Sequence, residues 1–186
     1  RASGFSSVPI INAGAGIGQH PTQALLDIFT IWKRLGKIDG LTIAIVGDLA
    51  RGRTAHSLAY LFGKFSGTKI YFVSPEATKI KDDIKNYLRR HKIWFAEEND
   101  LKIVAPKVDV IYQTRAQKER GTTSEAFIID KKILGLMKKS AIIMHPLPRN
   151  EEISPEVDSD PRAAYFRQAE NGLYVRMALL KMILAP

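Results

Sequence analysis

The chain has 186 residues, of which 45% are hydrophobic and 25% charged, and its formal net charge is +9. This composition is typical of one globular domain, or of one domain with extensions. No apolar run reaches the roughly 20 residues needed to span a bilayer, and we expect no membrane partner. The absence of cysteine excludes disulfides and thiolate metal sites and leaves the redox compartment undetermined. Since no secretory signal is visible, a cytoplasmic location is the default expectation.

The positive charge raises the question of an anionic partner. Lys and Arg residues are scattered along the chain, apart from a small cluster at 79–92. No basic stripe interleaved with aromatic residues is present, which argues against nucleic acid as a partner. Two interpretations remain: a basic surface exposed to solvent, or arginines that bind an anionic substrate.

Short apolar segments alternate with amphipathic ones along the chain. Residues 1–19 are rich in Gly and Ser and are expected to be irregular. A helix is predicted from Pro21, which suits a first helical turn, to Gly36, which ends it. Strands are predicted at 41–46, 69–73, 93–95, 108–112 and 141–144. Further helices are predicted at 53–65, 78–91, 97–104, 130–137 and 160–184.

This alternation predicts an α/β fold with a doubly wound, mainly parallel sheet flanked by helices. In such folds the functional side chains lie just beyond the carboxyl ends of the strands. Three of these positions carry arginine, namely Arg53, Arg115 and Arg149. A guanidinium pairs with a carboxylate or phosphate through two hydrogen bonds. Convergent arginines therefore indicate a substrate with more than one negative group, although each arginine alone is also compatible with a surface charge.

The loop at 47–54 fails the tests for a nucleotide site. The phosphate-binding pattern G-x-x-x-x-G-K-[ST] is absent because Arg53 occupies the lysine position. The Gly-rich stretch at 14–18 follows no clear strand and has the wrong glycine spacing for a dinucleotide site. Among the four histidines, which lack metal-ligand spacing, His20 lies at a helix start. There it can donate to a substrate carbonyl or serve as a cap.

Five segments of the chain resemble aspartate carbamoyltransferases, in the same order. They are HPTQALLDIFTI (20–31), VGDLARGRTAHSLA (46–59), TRAQKER (114–120), MHPLPR (144–149) and NGLYVRMALL (171–180). Ornithine carbamoyltransferases are the related alternative. That family has His-Cys-Leu-Pro where this chain has His-Pro-Leu-Pro at 145–148, and this chain contains no cysteine.

The resemblance implies a reaction and its catalytic residues. The amino group of L-aspartate attacks the carbonyl carbon of carbamoyl phosphate, and N-carbamoyl-L-aspartate and phosphate are formed on the route to pyrimidines. By the matched motifs, His20 hydrogen-bonds the carbamoyl oxygen, Gln23 holds the carbamoyl amide and Arg53 completes the catalytic set. No cofactor and no catalytic metal are implied.

The same motifs imply a binding site for aspartate. Arg53 is assigned to the α-carboxylate, and Arg115 with Gln117 to the side-chain carboxylate. The backbone carbonyls of Pro146 and Leu147 are assigned to the N–H groups of the reacting partners. This assignment agrees with the three arginine-bearing strand ends, since aspartate and carbamoyl phosphate are both anionic.

The resemblance also implies a domain division. The family's Ser-Thr-Arg-Thr phosphate segment is not found in the chain, so we expect an aspartate half without its N-terminal carbamoyl phosphate domain. We predict a junction segment with an interdomain helix at 1–36, the aspartate-binding domain at 37–158, and a C-terminal helix at 159–186 that returns to the missing domain. A homotrimer is expected by analogy, with or without regulatory or other pyrimidine-pathway subunits. Ala15 replaces an acidic residue of the family pattern, and a non-catalytic structural paralogue is therefore the alternative.

Overall fold

The computed structural model describes residues 4–16, 18–115 and 127–184. The strands in these ranges are Thr42–Val46 (β1), Lys69–Val73 (β2), Trp94–Glu98 (β3), Val110–Gln113 (β4) and Ile142–Met144 (β5). The α-helices are Pro21–Leu35 (α1), Arg53–Phe62 (α2), Asp82–Arg90 (α3), Leu101–Val104 (α4), Lys131–Leu136 (α5) and Tyr165–Leu184 (α6). Short 3-10 helices occupy Glu76–Thr78 and Pro155–Ser159.

The strands form one parallel sheet in the order β3-β2-β1-β4-β5. The chain runs outward from β1 through β2 to β3, then crosses to the other side of β1 for β4 and β5. The direction of winding therefore reverses between β1 and β4. In open α/β sheets ligands bind in the crevice at the carboxyl ends of the two strands that flank such a reversal. The predicted doubly wound parallel fold is confirmed.

Helices cover both faces of the sheet. Successive side chains of a strand point to opposite faces, and in β1 both sets are buried. One face packs on α1, α2 and α3, through residues such as Ile31, Ile45, Leu58, Phe72 and Ile84. The other packs on α4, α5 and the start of α6, through residues such as Val46, Leu101, Ile111, Ile133 and Tyr165. Burial on both faces explains why the strands are almost continuously apolar.

Two predicted helices begin later in the structure than in the sequence pattern. The helix predicted at 97–104 is wrong at its start, because Glu97 and Glu98 extend β3 by pairing with Phe72 and Val73. Only α4 remains helical in that segment. The helix predicted at 78–91 starts at α3, since the carbonyl of Thr78 instead accepts the N–H groups of Leu49 and Ala50 at 3.0 Å each.

The C-terminal helix is also shorter than predicted. Residues 160–164 are not helical, because Ala163 forms a parallel bridge with Ile143 at the edge of β5. The N–H of Ala164 donates to the carbonyl of Ile143 at 2.8 Å, and the N–H of Ile143 donates to the carbonyl of Arg162 at 2.8 Å. Helix α6 starts directly after this bridge, so its first residues are held against the sheet.

Helices α1 and α6 contact each other through a buried polar stripe. Asp27 and Thr30 of α1 are fully buried, as are Gln168 and Asn171 of α6 to within a few per cent. Several large apolar side chains of these two helices are exposed: Leu25, Trp32, Phe166, Leu173, Leu180 and Leu184. In the described ranges, no helix is both long and apolar enough to cross a membrane.

Candidate functional site

His20 lies at the start of α1, immediately before Pro21, the predicted first residue of that helix. Its backbone N–H donates to the Ser57 hydroxyl of α2 at 2.7 Å, and that hydroxyl donates to the side chain of Gln19. These bonds connect the start of α1 to α2. The Nδ1 atom of His20 is buried and has no hydrogen-bond partner within the described ranges.

The electrostatic surroundings of His20 favour the neutral imidazole. Burial lowers its pKa below the ordinary value, and the positive charges of Arg53 and Arg176 lower it further. A neutral imidazole carries one N–H donor, which suits a hydrogen bond to a carbonyl oxygen that gains negative charge during a reaction. The sequence-predicted residues His20 and Arg53 therefore lie in one site.

Arg53 is the first residue of α2 and lies against the segment before α1. A β-carbon built on Gly14 would be 2.7 Å from Nη1 of Arg53. That segment forms a closed turn, in which the N–H of Ala15 donates to the carbonyl of Gln19 at 2.9 Å. The side chain at position 15 is exposed. The turn is therefore closed with Ala15 at this position.

The carboxyl ends of β1 and β4 meet closely. The hydroxyl of Thr114 donates to the carbonyl of Val46 at 2.8 Å. Gly47 has φ of +121°, and a β-carbon there would be 2.3 Å from the Thr114 hydroxyl oxygen. A glycine is therefore required at this contact. Arg115 follows Thr114 directly, and so it emerges at the point where the winding of the sheet reverses.

Arg115 contacts the loop after β5. The Asn150 side-chain amide makes two hydrogen bonds in the orientation that gives both its oxygen and its nitrogen a partner. The oxygen accepts from Arg115 Nε at 3.0 Å, and the nitrogen donates to the Arg149 carbonyl at 3.2 Å. The backbone N–H of Asn150 donates to Oε1 of Glu152 at 3.0 Å. Arg115 is thereby connected to the loop that carries Pro146 and Leu147.

The loop at 145–148 is organised by His145. Its Nδ1 accepts the N–H of Leu147 at 2.8 Å, and its Nε2 donates to Oε1 of Glu152 at 2.9 Å, which indicates a neutral Nε2–H tautomer. Burial opposes ionisation of Glu152, but hydrogen bonds from His145 and from the backbone hold its pKa below the ordinary value. Leu147 has φ of +53°, and the bond from its N–H to His145 fixes the orientation of its backbone.

Gln23 is held from within its own helix. Its Nε2 donates to Oδ1 of Asp27, one turn later in α1, at 2.9 Å. Burial raises the pKa of Asp27 from its ordinary 3.8 to about 7, although interactions with Tyr112, Gln168 and Gln23 favour the charged form. A buried carboxyl group of this kind is a frequent feature of functional sites.

The residues predicted to form the site thus fall into two connected groups. Gln117 lies outside the described residues. His20 interacts with Arg53, and Gln23 is linked through the protein interior to the loop that carries Pro146 and Leu147. Sequence reasoning missed the supporting residues: Gly14, Asp27, Asn150, Glu152, Gln168 and Arg176. A signal was available for Asp27, since polar residues recur at helical spacing at positions 23, 27 and 30.

Two family models match the chain. Residues 39–183 match the Asp/Orn binding domain of the aspartate/ornithine carbamoyltransferases, and residues 1–33 match the carbamoyl-P binding domain of the same family. The chain therefore belongs to the aspartate/ornithine carbamoyltransferase family.

Individual relatives are aspartate carbamoyltransferases. The chain is 57% identical to the chloroplastic aspartate carbamoyltransferase of Arabidopsis thaliana, covering 99% of this chain and 49% of that protein. It is 50% identical to the multifunctional protein CAD of Squalus acanthias, covering 98% of this chain and 8% of that protein. The structure matches aspartate transcarbamoylase from Trypanosoma cruzi in complex with carbamoyl phosphate and aspartate, with a TM-score of 0.91, 42% identity, and coverage of 96% and 59%. The chain thus spans about half the length of the plant relative.

Proposed function

We propose that this chain supplies the aspartate half of an aspartate carbamoyltransferase site. In the full-length protein, the carbamoyl group of carbamoyl phosphate is transferred to the amino group of L-aspartate. The observation that carries this proposal is the position of His20 next to α2: its backbone N–H donates to Ser57 of that helix, whose first residue is Arg53. Burial and the charge of Arg53 lower the pKa of His20. Relatives named aspartate carbamoyltransferase support the choice of substrate.

The proposed chemistry depends on positioning and electrostatics. Attack of the amino group on the carbonyl carbon places negative charge on the carbamoyl oxygen, and the N–H of His20 stabilises that charge. The nearby positive charge of Arg53 and Arg176 acts in the same direction. The C–O bond to phosphate then breaks as the carbonyl re-forms, and the proton lost by the amino nitrogen is taken up by the departing phosphate. Gln23 holds the carbamoyl amide, and the carbonyls of Pro146 and Leu147 accept from substrate N–H groups.

The proposed aspartate site uses two guanidinium groups. Arg53 binds the α-carboxylate. Arg115, which donates a hydrogen bond to the side chain of Asn150, binds the side-chain carboxylate. Gln117 is assigned with Arg115 by the sequence motif alone. Two separated cations select a dicarboxylate over an amino acid with a cationic side chain, because a cation at the second position would be repelled.

The predicted division at 1–36, 37–158 and 159–186 remains part of this proposal. The exposed apolar side chains of α6, including Leu173 and Met177 at 61% and 56% exposure, support a contact with a further domain. The homotrimer and any regulatory or pathway subunits rest on the resemblance alone, and the cytoplasmic location remains a default expectation. Measuring the molar mass of the full-length protein in solution tests the trimer.

The experiment that tests the proposal uses the full-length protein. Formation of N-carbamoyl-L-aspartate is measured with L-aspartate, and L-ornithine serves as the matched alternative acceptor. Calorimetry with N-(phosphonacetyl)-L-aspartate measures binding without turnover. Turnover with aspartate alone and tight binding of the analogue are expected. Absence of both supports the non-catalytic paralogue, and turnover with ornithine alone refutes the assignment of the acceptor.

A further inference from the structure

A continuous chain of hydrogen bonds crosses the interior from α1 to the loop after β5. Gln23 Nε2 donates to Oδ1 of Asp27 at 2.9 Å, and Gln168 Nε2 donates to the same oxygen at 2.7 Å. Gln168 Oε1 accepts the backbone N–H of His145 at 2.8 Å. Asp27, Gln168 and His145 are each 1% exposed or less, so water does not replace a lost partner.

Both ends of this hydrogen-bond chain reach groups that the proposed function assigns to the substrates, and the inference rests on that function. At one end lies the Gln23 side chain, assigned to the carbamoyl amide. At the other, His145 Nδ1 accepts the N–H of Leu147 at 2.8 Å and so orients the loop whose carbonyls face the substrates. Gln168 is the only α6 residue that joins these two ends among the described hydrogen bonds.

A glutamine side chain has the chemistry that this position requires. Oδ1 of Asp27 accepts both amide hydrogen bonds, and the His145 backbone N–H can only donate one. A bridging side chain must therefore donate at one end and accept at the other, which an amide does. Removal of that amide leaves a buried carboxyl oxygen of Asp27 and the buried N–H of His145 each short of a partner.

We propose that Gln168 is a positioning residue that holds Gln23 and the 145–148 loop in register around the carbamoyl group. It lies on α6, and it acts through Asp27 and His145 rather than by touching substrate. A displacement of about 1 Å at a reacting centre can reduce the rate about 100-fold, so the separation of these two segments matters for catalysis.

The first test compares two variants of the full-length protein that break similar contacts. Gln168→Met keeps the volume and loses both hydrogen bonds. Asn171→Leu is the matched control, since Asn171 also bridges α6 to α1, through Thr30 at 3.0 Å and Lys33 at 3.2 Å, but reaches neither Gln23 nor the loop. Thermal unfolding is measured for both. We expect Gln168→Met to lower kcat about 10- to 100-fold, and Asn171→Leu to change kcat less than about 2-fold at similar stability.

The second test combines Gln168→Met with Gln23→Ala. If Gln168 acts through Gln23, then in the Gln23→Ala background Gln168→Met should lower kcat only a few-fold further. The proposal is overturned if Gln168→Met lowers kcat as strongly in the Gln23→Ala background as in the wild type. It is also overturned if the Gln168 and Asn171 variants lose kcat equally. If Gln168→Met does not fold, Gln168→Glu takes its place, because a carboxylate keeps the His145 bond and loses the donor to Asp27. A wild type that neither turns over nor binds the analogue refutes the proposed function and this inference together.

Discussion

Arg53 packs directly against the backbone of Gly14, with its Nη1 atom 2.7 Å from the point where a β-carbon on residue 14 would lie. Gly14 also has φ of +139°, a conformation that side chains with a β-carbon rarely adopt. The segment before α1 therefore forms one wall of the Arg53 site, and the absence of a side chain at 14 sets where the guanidinium lies.

We expect Gly14→Ala to displace the Arg53 guanidinium and to raise the aspartate KM about 10-fold in the full-length protein. Gly16→Ala is the matched control, because Gly16 also has positive φ, at +56°, but a β-carbon there meets no atom within 4 Å. Steady-state kinetics with varied aspartate provide the measurement. Equal effects of the two substitutions would mean that backbone strain, rather than contact with Arg53, is responsible.

Arg53→Ala removes the proposed partner of the aspartate α-carboxylate. Loss of one member of a paired charge costs several kcal/mol, so we expect the aspartate KM to rise by at least about 100-fold. Arg51→Ala is the control, since Arg51 belongs to the same loop and its side chain is exposed. Near-normal aspartate kinetics in the Arg53 variant would refute the site assignment.

Asn150→Ala should weaken aspartate binding through Arg115. One hydrogen bond to the guanidinium is lost, and we expect the aspartate KM to rise about 3- to 10-fold with kcat nearly unchanged. Asn86→Ala is the matched control, because Asn86 accepts a similar bond from Arg89 at 2.9 Å on the exposed helix α3. No change in the aspartate KM of the Asn150 variant would show that the Arg115–Asn150 contact does not position the arginine.

Asp27 should make the stability of the protein depend on pH. Its pKa is about 7 in the native state, against an ordinary 3.8, so between these values the native state binds more protons than the unfolded chain. The free energy of unfolding therefore falls as pH rises through this window, and the contribution is lost above about pH 7. Asp27→Asn does not titrate. We expect the free energy of unfolding of the Asp27→Asn variant, minus that of the wild type, to increase by about 2–3 kcal/mol from about pH 5 to about pH 8.

Urea unfolding of the full-length protein at each pH measures this difference. Asp39→Asn, at an exposed carboxylate, corrects for the general titration of the surface. A difference between Asp27→Asn and wild type that stays constant across the pH range would contradict the protonated, buried state of Asp27.

Much of the architecture could be predicted from local patterns. The bounds of β2 agree with the predicted 69–73, and α1 runs from Pro21 to the residue before Gly36, whose φ of +73° ends the helix. These elements carry their own signals, namely a run of β-formers, a helix-starting proline and a C-terminal glycine. The arginines beyond the strand ends could be proposed because the topology of parallel sheets brings strand ends to one edge. His20 could be proposed from its position at a helix start.

Helix faces and the residues that support the site could not be predicted in the same way. Helical spacing identifies an apolar stripe but not the element that covers it, and here α1 and α6 bury Asp27 and Gln168 while Leu173 stays exposed. Likewise, the Ile143–Ala163 bridge delays the start of α6 because of a partner distant in sequence.

The sequence by itself determined the alternation of strands and helices, the three arginine-bearing loops, and the glycines that allow sharp turns, because each depends on neighbours along the chain. Only the tertiary structure decided that β1 and β4 are adjacent, that Gly14 lies against Arg53, and that Gln168 joins Asp27 to His145. The physical reason is that a buried hydrogen bond or close contact forms between groups far apart in sequence. Its partners are selected by how whole elements pack, and no local pattern encodes that choice.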